Sequence, residues 1–199
     1  MNFCSHCANP VSLAIPAGDT RPRYVCNHCQ KIHYENPRLV IGSIPVWEEQ
    51  GQLQVLLCKR AIEPRYGYWT LPGGFMENGE TTSEAALRET VEESGANIQL
   101  LPLFTMLDVP HINQVHLFYR ATLLDLNYQA GEESLEVQLF SQNNLPWDNL
   151  AFPTVSYTLH CFFGDHAAGP NYGFHTWVCQ QRQSYGQSYS EQTRLGTAS

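Results

Sequence analysis

The spacing of apolar and polar residues predicts a strand-rich domain in the middle of the chain. Between residue 38 and about residue 165, short apolar or alternating runs are separated by turn residues, which is typical of strands. Five segments have this pattern: Arg38 to Trp47, Leu53 to Arg60, Gln99 to Val109, Gln114 to Leu124 and Leu135 to Ser141. We expect the first two to pair across Glu49-Gln50-Gly51 and the next two to pair around Pro110-His111.

Two segments have the spacing of helices. Thr82 to Ser94 follows a capping box made by Thr81 and Glu84, and Gly95 is a suitable end. A second helix is predicted from about Pro153, and its apolar stripe consists of Val155, Leu159, Phe162 and Phe163. Several strands with two helices indicate a layered α/β or α+β domain.

The two ends of the chain differ in composition from this middle part. Residues 1–33 are rich in cysteine and turn residues and poor in aliphatic residues, which predicts a small separate module. Residues 180–199 are rich in Gln, Ser and Tyr and hold too little apolar surface to order themselves. We therefore expect a module over 1–33, a main domain over 38–165 and a disordered tail over 180–199.

Two Cys-x-x-Cys pairs, Cys4 with Cys7 and Cys26 with Cys29, predict a structural Zn²⁺ site. Eighteen residues separate the pairs, a spacing that lets two tight turns place four thiolates around one tetrahedral ion. Two disulfides are the alternative, but they require an oxidising compartment, and the first residues lack the features of a secretory signal. His6 and His28 are bystanders in this prediction because four sulfurs complete the shell.

The charge balance disfavours some classes of partner. The chain has 19 acidic and 11 basic residues, a net charge of −8. This balance disfavours nucleic acid and anionic membrane surfaces, and no apolar run is long enough to cross a bilayer. We expect a soluble, cytoplasmic protein that acts on a small molecule. A phosphorylated substrate stays possible because bound metal ions reverse the local charge.

Much of the negative charge lies in residues 74–96, which hold six acidic residues and one arginine. On a helix, Glu89, Glu92 and Glu93 share one face within an arc of about 100°. A solvated acidic face is the ordinary interpretation, but this helix follows the Gly73-Gly74 loop, whose backbone can approach a ligand closely. Carboxylates suit Mg²⁺ or Mn²⁺, so the segment predicts a divalent metal site to which the loop adds a carbonyl ligand.

Two further expectations concern the same helix. Leu87 and Val91 lie opposite the carboxylates, and we expect them to pack inward. Arg88 lies one turn from both Glu84 and Glu92, so it forms ordinary helix ion pairs or, in a tighter role, holds Glu80 in place.

This segment resembles the Nudix box. The charged and glycine positions all match: Gly74, Glu80, Arg88, Glu89, Glu92, Glu93 and Gly95. Thr90 and Ala96 depart from the pattern, since larger aliphatic residues are usual at those two places. The resemblance covers about residues 38–165 and implies a Nudix α/β/α sandwich around a mixed sheet, preceded here by a small zinc ribbon.

A four-cysteine ribbon followed by such a domain is similar to a subgroup that includes NADH pyrophosphatases and plant chloroplast FAD pyrophosphatases. The plant type is the closer match, for example in Leu57-Cys58-Lys59-Arg60, and the motif that follows the box in NADH pyrophosphatases is missing. Pro110 lies near a proline found in many ADP-ribose hydrolases. The resemblance implies a homodimeric, Mg²⁺- or Mn²⁺-dependent hydrolase. It would cleave the diphosphate of an ADP-ribose-type or FAD-type substrate and release a nucleoside monophosphate.

The resemblance also implies a role for each residue of the site. The catalytic set is Glu80, Arg88, Glu92, Glu93 and Glu136, the substrate loop is Gly73 and Gly74, and the metal ligands are Gly74, Glu89, Glu92 and Glu93. The general base stays open between a glutamate of the box, Glu133 and Glu136. The residue that stacks on the substrate's base stays open among Tyr66, Tyr68, Phe75, Phe118 and Tyr119.

Three alternative functions fit the same residues less well. One is a pyrophosphatase of NADH or another dinucleotide, and another is a non-catalytic nucleotide sensor, for which no partner-binding domain is visible. The third is a non-hydrolytic isomerase, which the intact box disfavours.

Overall fold

The structure is a computed structural model that describes residues 1–169 and 171–180. The predicted disordered tail lies outside the described residues except for Gln180. The chain divides into two compact units, Met1–Pro37 and a second unit that begins at Arg38. No helix among the described residues is long and apolar enough to cross a membrane.

The first unit is a small three-stranded antiparallel sheet. Its strands are β1 (Val11–Ala14), β2 (Arg23–Cys26) and β3 (Ile32–His33), with β2 in the centre. Cys4 and Cys26 are buried, whereas apolar residues such as Leu13 and Ile15 are exposed. The unit therefore has almost no apolar core of its own, as expected for a module that a metal holds together.

The second unit is built on one mixed sheet. Its strands are β4 (Arg38–Glu49), β5 (Gln52–Arg60), β6 (Trp69–Thr70), β7 (Gly73–Phe75), β8 (Ile98–Val109), β9 (Gln114–Leu123), β10 (Ser134–Ser141) and β11 (His175–Val178). The order is β10-β5-β4-β9-β8-β11, with β6 paired to β5 and β7 to β4. The β4–β9 and β11–β8 pairs are parallel and the remaining pairs are antiparallel. The five predicted strands are confirmed, and Gln50-Gly51 form the first hairpin turn with positive φ at both residues.

The two predicted helices are α1 (Thr82–Ser94) and α2 (Pro153–Ala168), and both are confirmed. The Thr81–Glu84 capping box is present, and Gly95 ends α1 in the left-handed conformation with φ 61°. Along β9, Leu117 packs with the α1 cluster and Phe118 packs with the α2 cluster. Neighbouring residues of a strand point to opposite faces, so the helices cover opposite faces of the sheet and form an α/β/α sandwich.

The prediction that Leu87 and Val91 of α1 pack inward is wrong. Leu87 and Val91 are 37% and 54% exposed. The buried residues of the helix are small or acidic: Ala85, Ala86, Glu89, Thr90, Glu93 and Ser94. Small side chains let α1 approach β4 and β7 closely. At one buried contact between α1 and β4, a hydrogen bond takes the place of apolar packing, because Thr90 Oγ1 lies 2.6 Å from Ser43 Oγ. The Thr90 departure from the Nudix pattern is therefore compensated by a buried hydroxyl pair.

Candidate active site and zinc site

The loop before α1 brings backbone against the acidic face of the helix. Strand β7 pairs with β4, and the Gly73 N–H donates to Glu93 Oε2 at 3.2 Å. A Cβ atom at Gly74 would lie 2.5 Å from Glu89 Oε2, closer than real Cβ contacts allow. Glycine at this position therefore lets the main chain approach the Glu89 carboxylate. The predicted loop and two of the predicted carboxylates thus come together in the structure.

Arg88 connects the carboxylates of this site. Its guanidinium makes two hydrogen bonds to Glu80, Nη2 to Oε1 at 2.7 Å and Nε to Oε2 at 3.0 Å. Its Nη1 also donates to Glu89 Oε1 at 2.7 Å and to Glu92 Oε2 at 2.9 Å. Its fifth bond, from Nη2 to the Phe75 carbonyl at 3.1 Å, reaches β7. Arg88 therefore makes the tighter contact with Glu80 as well as the helix pair with Glu92.

Glu84 does not take part in this network. Its carboxylate accepts from the Thr81 N–H at 2.7 Å and completes the helix cap. The sequence allowed Arg88 to pair with Glu84 or Glu92 on the helix. In the structure Arg88 pairs with Glu92, and Glu84 caps the helix.

Nearby positive charges do not fully balance the buried carboxylates of the acidic face. Burial raises the pKa of Glu93 to about 8, even though the Gly73 N–H opposes that shift. Burial also raises the pKa of Glu89, against the effect of Arg88. Raised carboxylate pKa values mean that the site disfavours its own negative charges and would gain from a cation. Hard oxygen ligands beside a glycine loop fit a divalent ion such as Mg²⁺ or Mn²⁺.

The three predicted metal-binding carboxylates do not converge on one point. Glu92 turns toward Arg88, and its side chain is 58% exposed. In the part of the chain that the structure describes, only the four cysteines bring three or more potential metal-binding atoms within 4.8 Å of one another. The roles of Glu89, Glu92, Glu93 and the Gly74 carbonyl as metal ligands therefore stay predictions.

The two later glutamates differ in their surroundings. Glu136 lies on β10, where it pairs with Lys59 Nζ at 3.4 Å. Glu133 lies in the loop before β10, and its negative charge is a minor cause, after burial, of the raised pKa of both Glu89 and Glu93. Glu133 is therefore the later glutamate whose charge acts on the acidic face of α1.

The aromatic candidates for stacking on the substrate's base differ in exposure and in their contacts. Phe118 is 3% exposed in the main core, and Tyr119 bonds through its hydroxyl to Thr82 Oγ1 at 2.6 Å. Tyr66 and Phe75 are 55% and 45% exposed. Phe75 directly follows Gly74 and carries the Arg38 guanidinium 4.5 Å from its ring centroid. Phe75 is thus the exposed aromatic side chain adjacent to the glycine loop.

Sequence reasoning missed Arg60 as a residue of this region. It ends β5 and is 9% exposed, although its side chain is charged. Its positive charge lowers the pKa of Glu93 against the larger effect of burial. A cation at the end of an apolar strand is a weak sequence signal, because most such residues face water.

The four predicted zinc-binding cysteines lie together in the first unit. The Sγ atom of Cys7 lies 3.4 Å from the Sγ atom of Cys26 and 3.5 Å from that of Cys29. The Sγ atoms of Cys4 and Cys29 are 3.7 Å apart. Tetrahedral Zn²⁺ with Zn–S bonds of about 2.3 Å requires sulfur separations near these values. The cluster therefore fits a structural zinc ion, and all four cysteines are free thiols that are not paired as disulfides.

A second residue that sequence reasoning missed is His33, which supports the cysteine cluster. It is 8% exposed, and its Nε2 lies 3.3 Å from Cys4 Sγ. Main-chain N–H groups of His6 and His28 donate to Cys4 and Cys26 at 3.4 Å each. The histidines inside the knuckles thus act through their backbone, whereas His33 acts through its ring from the end of β3.

Comparison with known families agrees with this architecture. The model of the family described as Nudix N-terminal, a zinc ribbon, matches residues 2–35, and the model of the NUDIX domain matches residues 36–157. The chain belongs to the Nudix family. It carries the N-terminal zinc ribbon before a Nudix α/β/α sandwich, as the sequence predicted.

Three similar proteins give the family context. A crystal structure of a NUDIX hydrolase from Nitrosomonas europaea is 47% identical and superposes with a TM-score of 0.83, covering 90% of this chain and 99% of that one. An ADP-ribose pyrophosphatase from Methanocaldococcus jannaschii is 37% identical over 103 residues, 50% of this chain and 60% of that protein. The NAD-capped RNA hydrolase NudC of Salmonella heidelberg is 27% identical over 150 residues, 72% of this chain and 53% of that protein. The chain thus matches only about half to three fifths of the length of these two curated relatives.

Proposed function

We propose that this protein is a Nudix hydrolase that cleaves the diphosphate of a nucleoside diphosphate linked to another group, of ADP-ribose or FAD type. The observation that carries the proposal is the acidic face of α1, where Glu89 and Glu93 are buried against the Gly73-Gly74 loop. Buried carboxylates with raised pKa values beside the backbone of a glycine loop would suit divalent cations, which promote hydrolysis of a diphosphate. The product would be a nucleoside monophosphate.

Each residue of the site has a task in this proposal. Glu89, Glu92, Glu93 and the Gly74 carbonyl would hold Mg²⁺ or Mn²⁺. The metal supplies charge neutralisation at phosphate oxygens and lowers the pKa of bound water. Arg88 orients Glu89 and Glu92, and its two bonds to Glu80 fix the turn that leads into α1.

The general base is proposed among the later glutamates and the box. Glu133 is supported by its negative charge, which is a minor cause, after burial, of the raised pKa of Glu89 and Glu93. Glu136 is drawn to Lys59 at 3.4 Å, but a substrate could displace this partly exposed ion pair. We expect Glu133→Gln to lower kcat more than Glu136→Gln does, and the reverse order would assign the base to Glu136.

ADP-ribose is the substrate we propose to test first. The M. jannaschii relative is named an ADP-ribose pyrophosphatase, and the family resemblance adds FAD. The Salmonella relative is named an NAD-capped RNA hydrolase, which favours a dinucleotide as the second candidate. A metal-dependent panel of ADP-ribose, FAD, NADH and diadenosine polyphosphates, read out as released nucleoside monophosphate, ranks these substrates.

A matched pair of variants tests the catalytic site. Glu93→Gln should abolish turnover of the best substrate while circular dichroism shows an intact fold, because the amide removes a metal-binding charge without changing the shape. Glu49→Gln, at an exposed position at the end of β4, removes the same charge elsewhere and should leave turnover unchanged. Full activity of Glu93→Gln would overturn the proposal, and absence of turnover in the wild type over the whole panel would favour the sensor or isomerase alternatives.

Three further proposals follow from the family resemblance and the sequence. We propose a homodimer, a cytoplasmic location and domain limits of 1–33 and 38–165. Light scattering coupled to size-exclusion chromatography tests the dimer directly, and a stable, zinc-independent fragment beginning at Arg38 would support the domain limit.

A further inference from the structure

The face of α2 that lies against β11 carries a thiol between two other polar side chains. Tyr157, Cys161 and Asp165 follow one another at intervals of four residues, which places them on one face of the helix. Tyr157 stacks on Trp177 with 4.9 Å between the ring centroids, and Asp165 Oδ2 lies 2.9 Å from His175 Nε2. Because Cys161 lies between these two contacts on the helix, its thiol also faces β11.

Three side chains of this face have the order of a nucleophile, a proton-transfer group and an orienting carboxylate. The Cys161 side chain is the hydrogen-bonding neighbour that does most to raise the pKa of His175 to about 9, and burial opposes that shift while Asp165 adds to it. His175 is therefore an imidazolium at neutral pH. Its Nε2 pairs with Asp165, so the second ring nitrogen, Nδ1, is the one that can pass a proton to another group.

The carboxylate of this cluster is fixed in position. Asp165 Oδ2 accepts from the Gly173 N–H at 2.7 Å in addition to its contact with His175. The His175 ring also packs edge-on against Phe104, with 4.9 Å between the ring centroids. The side chains of His175 and Asp165 are 16% and 19% exposed, so the pair is partly enclosed and its orientation is restricted.

The cluster is separate from the acidic face of α1. Phe104, which contacts His175, belongs to the core cluster that includes Leu159 and Phe162 of α2. The two helices cover opposite faces of the sheet, so Cys161 and Glu93 lie on different sides of it. The proposed function therefore gives no task to Cys161, His175 or Asp165.

A structural ion pair between α2 and β11 explains His175 and Asp165 but not the thiol beside them. Cys58 and Cys179, two other cysteines of the second unit, are 1% and 6% exposed, and burial raises the pKa of both thiols. They have the usual surroundings of an inert structural cysteine. Cys161 differs because it is only partly buried and lies beside a cation. Reactive cysteines lie in such partly exposed, electropositive surroundings.

We propose that Cys161 is a redox-modification site, at which a small peroxide oxidises the thiolate to a sulfenic acid, with His175 as proton donor and Asp165 as the residue that orients His175. The thiolate sulfur attacks one peroxide oxygen, so an S–O bond forms while the O–O bond breaks. Sulfur is oxidised and the peroxide is reduced. The leaving hydroxide takes the His175 proton and departs as water. A small oxidant suits a thiol whose neighbours are partly enclosed.

The test measures the oxidation rate of each cysteine in the full-length protein. Hydrogen peroxide is the probe, dimedone traps the sulfenic acid, and peptide mass spectrometry reports the labelling rate. Cys161 should be labelled faster than Cys179 by about tenfold or more. His175→Gln should slow the labelling of Cys161 about 10- to 100-fold, because it removes the cation beside the thiolate and the proton donor. His166→Gln is the matched control, since it removes an exposed histidine of the same helix and should leave the rate unchanged.

Asp165 acts through His175, so two variants test its role. Asp165→Asn removes the charge that supports the imidazolium and should slow the labelling of Cys161 about tenfold. Asp165→Glu keeps the charge and should recover part of the rate, which a purely structural role would not predict. Circular dichroism identifies the variants that are folded.

Two results would overturn the inference. One is an unchanged labelling rate of Cys161 in a folded His175→Gln variant or, if that variant does not fold, in a folded Asp165→Asn variant. The other is labelling of Cys161 that is no faster than labelling of Cys179 in the wild type, a comparison that needs no variant. Neither result depends on whether the protein hydrolyses a nucleotide.

Discussion

Arg88 and Glu80 are joined by two hydrogen bonds, of 2.7 and 3.0 Å, across a helix cap that separates them in the chain. The pair holds the turn at residues 77–80 against α1, and the same guanidinium also reaches Glu89, Glu92 and the Phe75 carbonyl. One side chain thereby sets the positions of the glycine loop, the turn and the acidic face. Its contacts raise the pKa of Arg88, with Glu80 as the largest cause, so it stays charged at all accessible pH values.

Arg88→Lys should therefore disable the site more than it destabilises the fold. A lysine ammonium cannot make the two bonds to Glu80 and also reach Glu89, Glu92 and Phe75. We expect kcat for the best substrate to fall about 10- to 100-fold, with a loss of stability of about 1–2 kcal/mol because the pairs are partly exposed. Steady-state kinetics and urea unfolding measure the two effects. An Arg120→Lys variant is the control, and equal kinetic losses in both variants would contradict the positioning role of Arg88.

Gly74→Ala should displace the Glu89 carboxylate. The new Cβ would lie 2.5 Å from Glu89 Oε2 and 2.7 Å from its Cδ, and Arg88 restrains the carboxylate at 2.7 Å. We expect turnover to fall at least tenfold and stability to fall by about 1–3 kcal/mol. Gly164→Ala is the control, because Gly164 lies in α2 and a Cβ atom there would meet nothing within 4 Å among the described residues. That substitution should stabilise the protein by about 0.5–1 kcal/mol, and equal effects of the two substitutions would show that the close approach at Gly74 is unimportant.

His33→Phe should weaken retention of zinc without removing a zinc ligand. The substitution keeps a buried ring but removes the Nε2 contact to Cys4 Sγ at 3.3 Å. Loss of a group that supports a metal ligand costs about 10- to 100-fold in affinity in metal sites, and we expect zinc release to a colorimetric chelator to accelerate by a similar factor. His28→Phe leaves the backbone donor to Cys26 in place and should release zinc at the wild-type rate. Equal release rates of His33→Phe and the wild type would show that the contact has no effect on the metal.

His116 should make the fold sensitive to mild acid. Burial lowers the pKa of His116 to about 4, and its ring nitrogens bond to Thr154 Oγ1 at 3.0 Å and Gln114 Oε1 at 2.9 Å. In the unfolded chain a histidine takes up a proton below about pH 6.5, whereas the folded chain resists protonation down to about pH 4. Because the unfolded state then binds more protons, stability falls as the pH drops from about 6.5 to 4.

Urea unfolding at pH 7 and pH 5 measures this effect. A His116→Gln variant, which keeps polar contacts without a titrating group, should lose about 1–2 kcal/mol less than the wild type over the same interval. Parallel pH profiles of the two proteins would show that another group controls the acid sensitivity.

Local signals in the sequence were sufficient for the helices and strands and for the set of four cysteines that cluster in the first unit. The Thr81–Glu84 cap and Gly95 define α1 because capping depends on residues within one turn, and Pro153 places the start of α2 for the same reason. The four cysteines were identifiable because ligand type and spacing within each pair restrict the metal. Membership of the Nudix family follows from residues 74–96, whose pattern is contiguous in the chain.

Tertiary structure decided which side chains are buried and which charges meet. Leu87 and Val91 face outward although they are apolar, because the small residues Ala85 and Ala86 let α1 approach the sheet by its other face. That approach buries Glu89 and Glu93 beside the glycine loop, and burial raises their pKa values. A helical projection of the sequence shows which residues share a face, but it does not show this burial. Arg60 and His33 acquire their importance in the same way, since folding brings them near Glu93 and Cys4, which are remote from them in the chain. The sequence by itself therefore determined the local elements and the metal-binding residue types, while long-range packing decided burial and electrostatics, because both depend on distances between segments that are remote in the chain.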